Sequence, residues 1–235
     1  MISKRFVIRM QLELLKNVYE FRTLEAEMKH IRENIGFHDS QNKRQQILEA
    51  AYAVFSSKGY HRATVDEIIA LADTGKGTVY NYFVNKEQLF YTLIKECSMP
   101  FQIIIEGIVN SSEPPLEKVE TIIKAFLEFY VKHANLWRVM MHEVRGFGAN
   151  GSSNFTQEQL EKYQTCFCET IGMIEKVLLE AQSKGFIRES CDATRAAHGL
   201  FSVIVTFVFR DFVDKNIGDT AHTIAELFLY GAADR

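Results

Sequence analysis

The chain of 235 residues has three prolines, four cysteines and one tryptophan. So little proline, with no sustained alternation of apolar and polar residues, speaks for helices and against a sheet. Four cysteines without a regular spacing give no disulfide framework, which suggests reduced thiols and a cytoplasmic setting. Cys166 and Cys168, two apart on a helix, point to different faces and make a poor metal clip. No glycine-rich phosphate loop, nucleophile elbow or HExxH pair occurs, so nothing points to catalysis, a cofactor or a metal. A long apolar run is also missing. The longest, 199–209, is far short of the ~20 residues a bilayer needs. Lys4, Arg5 and Arg9 interrupt any secretory leader at the start.

Charge of one sign is lacking too. The net charge is −3, so no global basic character announces nucleic acid. Residues 41–98 carry seven Lys/Arg against six Asp/Glu, and 1–40 carry the same numbers. The excess acid lies in the remainder, away from the stretch discussed next.

What is present is a strongly patterned segment, TVDEIIALADTGKGTVYNYF, from Thr64 to Phe83. Thr64 followed by Glu67 has capping-box spacing. Val65, Ile68, Ile69 and Ala72 form an apolar face. Asp73-Thr74-Gly75 breaks it, and Gly75 is the residue expected to supply a left-handed turn conformation. A second short helix, about Lys76 to Phe83, is anchored by Val79 and Phe83. Its other faces carry Lys76, Gly77, Thr78, Tyr80, Asn81 and Tyr82, short polar groups and hydroxyls suited to base edges and phosphates. Spacing alone fits two readings, a helix-turn-helix and an ordinary αα corner with a solvated second helix.

KGTVYNYFVNKEQLF resembles the most recognisable stretch of the TetR family of transcriptional regulators. The match falls on Lys76, Gly77, Thr78, Val79, Tyr80, Tyr82, Phe83, Lys86, Glu87 and Leu89. Upstream, Phe55, Gly59, Tyr60 and Thr64 also fit. The matching block covers about residues 41–98, and one departure stands in it. Where the family has Gly-Val-Ser in the turn, this chain has Asp73, Thr74 and Gly75, the glycine two positions late. The resemblance implies an all-α protein with a three-helix helix-turn-helix headpiece and a helical body for ligand binding and dimerisation. It implies a regulator, most often a repressor, whose partners are a pseudo-palindromic double-stranded DNA operator, a second copy of the chain and a small apolar or amphipathic effector. Lys43, Thr64, Tyr82 and Lys86 would then hold phosphates. Lys76, Gly77, Thr78, Tyr80 and Asn81 would sit at base edges. Lys43 and Arg44 lie where the family touches the DNA backbone, but also where solvated surface charges are expected.

Three units follow. Residues 1–40 are an extra helical segment, with Leu24, Met28, Ile31 and Ile35 at helical spacing. It is read either as a helix packed on the body or a partner, as a membrane-surface helix, or as an artefact of a start that truly lies at Met28. Residues 41–100 are the headpiece, and Met99-Pro100 is expected to break or kink its last helix. Residues 101–235 are the body. There Phe126, Phe129, Tyr130, Trp137, Met140, Met141, Tyr163, Phe167, Phe201 and Phe209 supply rings and thioethers for either a ligand cavity or a plain core. Glu143 and Arg145 are candidates for a polar head group. Gly185 is expected to end a long helix, with Phe186-Ile187 covering the junction. The final helices, 193 to about 214 and 218 to about 233, are apolar nearly all round and need cover, which a second subunit would give. A second arrangement keeps the DNA-bound dimer but uses it as an adaptor for a protein partner.

Overall fold

The computed structural model describes residues 38–145 and 157–231. Every regular element among them is an α-helix: α1 (His38–Arg62), α2 (Val65–Leu71), α3 (Lys76–Tyr82), α4 (Lys86–Val109), α5 (Pro115–Lys132), α6 (Ala134–Arg145), α7 (Gln157–Ser183), α8 (Ala193–Phe209) and α9 (Ile217–Tyr230). The extra N-terminal segment and the Gly-rich stretch after Arg145 lie outside the described residues.

The head is built around α1. Ile47, Ala51, Val54 and Phe55, one stripe at helical spacing, are buried. Gly59 takes φ 79° and turns the chain, as a C-terminal glycine does, before Tyr60–Arg62 make one further turn. Phe55 packs between Tyr60 (5.9 Å, stacked) and Phe90 of α4 (4.9 Å, edge-on). Asn85 opens α4, its side chain accepting from the Gln88 N–H at 2.8 Å.

α4 does not break at Met99-Pro100. It runs on through Pro100 to Val109. Local propensity loses here to burial: Ile94 and Ser98 before the proline, and Phe101 and Ile105 after it, are all packed inside, while Pro100 itself faces solvent. The boundary expected at residue 100 therefore falls inside one helix shared by head and body. A second head–body contact is the packing of α1 on α6.

In the body, α5 is central and touches α4, α6, α7, α8 and α9. Its Val119, Ile122, Ile123, Phe126, Leu127 and Tyr130 are buried. One buried side chain was not foreseen. Lys118, 3% exposed, donates to the Val109 carbonyl oxygen and to Glu180 Oε2, both at 2.9 Å, tying the end of α4 to α7. Gly185 (φ 76°) does end α7, and the Phe186 N–H returns to the Ala181 carbonyl at 2.9 Å. Phe186 itself is 57% exposed, so only Ile187 covers the junction. α8 stops at Phe209, short of the expected 214, and α9 is capped by Asn216 rather than opened at Gly218. Leu200, Ile204 and Val205 face inward, while Val203, Leu227 and Tyr230 remain on the surface.

Candidate nucleic-acid interface

α2 begins with both bonds of a capping box: the Glu67 N–H donates to Thr64 Oγ1 at 3.3 Å and the Thr64 N–H to Glu67 Oε2 at 3.1 Å. Lys58, 2.6 Å from Glu67 Oε1, and that cap hold the Glu67 carboxyl below the usual range. The chain then reverses between α2 and α3, and the left-handed residue is Asp73 (φ 45°), not Gly75. Gly75 is extended (φ −78°, ψ 149°) and serves as the N-cap of α3. Asp73 thus occupies the place of the family's turn glycine and takes a left-handed conformation, which aspartate tolerates better than most residues.

α3 is pinned from beneath by Val79 (1% exposed) and Phe83 (3%). Above that anchor, Lys76, Gly77, Tyr80 and Asn81 are exposed, and Thr78 and Tyr82 partly so. The Lys76 ammonium lies 3.2 Å from Asp66 Oδ1, a solvent-exposed pair of little energetic weight. This is a rigidly mounted short helix whose outer faces carry small donors and acceptors.

The outlying basic residues divide. Lys43 is half-buried on α1. Arg44 is engaged inward, paired with Glu96 of α4 and 5.7 Å above the Phe83 ring. Lys86 donates to the carbonyl oxygens of Tyr60 (3.0 Å) and Ala63 (3.1 Å). The helix dipole disfavours a cation at the start of α4, and the fold supplies two carbonyl oxygens to it.

Beneath the head lies a cavity of about 20 Å³, lined by Ile94, Ser98 and Phe101 of α4, Phe129 and Tyr130 of α5, Trp137 and Met140 of α6, and Tyr163 and Thr170 of α7. Five of the ten expected lining residues are among these. Phe126 is packed behind Phe101 at 4.8 Å, Phe201 stands edge-on to Phe126 and Tyr130 at 6.0 and 6.2 Å, and Met141 is buried. Phe209 lies 5.7 Å beneath the Arg138 guanidinium. The side chains of Phe167, Glu143 and Arg145 lie outside the described part. Reasoning from sequence missed the α4 wall because it expected a break or kink at Met99-Pro100 and placed the domain boundary there. At this volume the cavity accommodates about one water molecule, not an acyl chain.

His133 ends α5. Burial, then Lys132, push its imidazole below its ordinary value. Burial pushes the Cys97 thiol up to about 11, so it is no nucleophile at neutral pH. Among the described residues there is no group of three His, Cys, Asp or Glu that could hold a metal, and no helix long and apolar enough to cross a membrane.

Residues 47–92 match the model of the bacterial regulatory proteins, tetR family. The fatty acid metabolism regulator protein of Bacillus subtilis (strain 168) is 28% identical over 173 residues, covering 72% of this chain and 85% of its own. A solved candidate fatty acid metabolism regulator of Clostridium perfringens superposes with TM-score 0.69 at 27% identity, over 81% of this chain and 100% of that one. The FadR regulator of Bacillus subtilis, solved in complex with stearoyl-CoA, gives TM-score 0.66 at 25% identity, over 80% and 99%. Together with the helix-turn-helix geometry, these likenesses support a TetR-family transcriptional regulator, with residues 47–92 as the segment that matches the family.

Proposed function

We propose that this protein is a homodimeric, ligand-responsive repressor that reads a pseudo-palindromic DNA operator. The observation that carries the reading is the mounting of α3. Val79 and Phe83 fix it to the head core, and Lys76, Gly77, Thr78, Tyr80 and Asn81 are presented outward. In a major groove those residues meet base edges, with Gly77 allowing close approach of the backbone. Lys43, Thr64 and Tyr82 hold flanking phosphates. Arg44 and Lys86, already engaged with Glu96 and with two carbonyls, keep the head's frame rather than make the first phosphate contacts.

Dimerisation through α8 and α9 would cover the apolar residues those helices leave exposed, Val203, Leu227 and Tyr230. Two heads would then stand on half-sites one helical turn or more apart.

The effector is apolar or amphipathic, and a long-chain acyl thioester is the first to test, given the relatives named above. It would favour a state with a wider cavity. Because α4 contributes both to the cavity wall, through Ile94, Ser98 and Phe101, and to the head, widening displaces the heads. Release requires the effector to bind that displaced state more tightly. The test is an anisotropy titration of a duplex enriched from a random pool. Asn81→Ala and Thr78→Val should each lose ~10-fold or more at particular base positions. Lys43→Gln should weaken binding to all sequences alike. Stearoyl-CoA should release the duplex. A uniform loss from Asn81→Ala would remove α3 from base reading.

A further inference from the structure

The head meets the body at a second place besides α4, and one hydrogen bond marks it. Tyr52 of α1 and His133, at the end of α5, stand with Oη and Nδ1 3.1 Å apart and the rings edge-on at 5.8 Å. Both residues are partly buried. His133 occupies the corner between α5 and α6. The His133 N–H donates to the Phe129 carbonyl at 3.1 Å, and the His133 carbonyl accepts from the Trp137 N–H at 3.0 Å. Phe129 and Trp137 both line the cavity. The Phe129 ring lies 5.0 Å from the His133 ring and stacks on Phe101 at 4.4 Å. A continuous set of contacts therefore leads from the cavity wall to the first helix of the head.

We propose that His133 is a positioning residue for DNA reading: through Tyr52 it fixes where the head stands against the body, and through Phe129 its own position depends on the cavity being closed. This rests on the DNA-binding reading above. With the imidazole neutral and its proton on Nε2, Tyr52 donates to Nδ1. Protein interiors are close-packed, so any effector larger than the present 20 Å³ must push a wall aside. Phe129 is wedged between Phe101 and His133 and cannot yield without disturbing one of them. Displacing it toward His133 breaks the bond to Tyr52 and frees the head from its DNA-reading position.

The experiment compares operator affinity for the wild type, Tyr52→Phe, His133→Ala, Phe129→Leu and the double variants, with thermal unfolding run on each. Tyr52→Phe keeps the ring and removes only the hydroxyl. It should raise the operator Kd about 5-fold, the equivalent of one hydrogen bond of ~1 kcal/mol. The salt dependence and half-site spacing should not change, because no phosphate contact is lost. Tyr52→Phe combined with His133→Ala, or with Phe129→Leu, should be no weaker than the weaker single variant. A lower melting temperature with an unchanged Kd for the folded protein would make the bond merely structural and overturn the proposal. Independent, multiplying effects of Tyr52→Phe and Phe129→Leu would overturn the link to the cavity. A wild type that binds no duplex would sink the DNA reading and this inference with it, a result visible before any variant is made.

Discussion

Lys86 reaches back to Tyr60: its ammonium donates to the Tyr60 carbonyl oxygen at 3.0 Å and lies 4.5 Å from the centre of the same residue's ring. The Ala63 carbonyl accepts a second bond at 3.1 Å. A cation in the first turn of α4 is unfavourable to the helix dipole, and these oxygens offset that cost. Replacing Lys86 with Met should therefore lower stability by about 1–2 kcal/mol in urea unfolding. It should leave the salt dependence of duplex binding unchanged, whereas Lys43→Gln should reduce its slope by about 0.9. A reduced slope for Lys86→Met would return that residue to the phosphates.

Asp73 and Gly75 each stand in the conformation the other's residue type would prefer. Asp73→Gly should relieve the positive φ and stabilise the head by about 0.5–1 kcal/mol. Gly75→Ser should add a few tenths of a kcal/mol, on the order of a cap exchange. A Cβ there would meet Thr78 Oγ1 at 3.7 Å, an ordinary contact. Thermal unfolding of the two variants and their combination checks both signs.

His133 sets an acid limit. Its folded-state pKa lies below the ordinary 6.5, so the folded protein takes up this proton less readily than the unfolded chain. The contribution is present above about pH 6.5 and is lost as pH falls through the folded value. Tyr52 of α1, Glu96 and Cys97 of α4 and Lys132 of α5 are the other titratable groups of this corner; burial first, and Lys132 second, oppose the charged imidazole. Between pH 7.5 and 5 the melting temperature of the wild type should fall further than that of His133→Gln. Equal falls would contradict a depressed pKa.

Lys118 holds α4, α5 and α7 together from inside. Lys118→Ala leaves the Val109 carbonyl without this donor and opens a void, and should cost about 2–3 kcal/mol. Denaturant unfolding measures it.

Much of this was legible in the sequence because the signals were local. Thr64 with Glu67 and Gly185 act within one helical turn, and each stands where the pattern put it. The α3 anchor, Val79 and Phe83, was equally readable from spacing. What failed depended on distant partners. Pro100 should end a helix by its own chemistry, but Phe101 and Ile105 are held by the body, and that packing carries α4 onward. The α4 side of the cavity was hidden for the same reason. Gly75 looked like the turn's left-handed residue because glycine adopts that conformation most easily; which position needs it is set by how α2 and α3 pack. The internal partners of Arg44, Lys86 and Lys118 come from helices far away in the chain, and no spacing announces them.

The measurement that tests the central claim most directly is selection of bound duplexes from a random-sequence pool by the purified full chain, followed by sequencing. The account predicts an enriched pseudo-palindrome with half-sites one helical turn or more apart, lost when Asn81 and Thr78 are replaced together. A pool that stays unenriched at both low and physiological salt, with the protein folded, would contradict it.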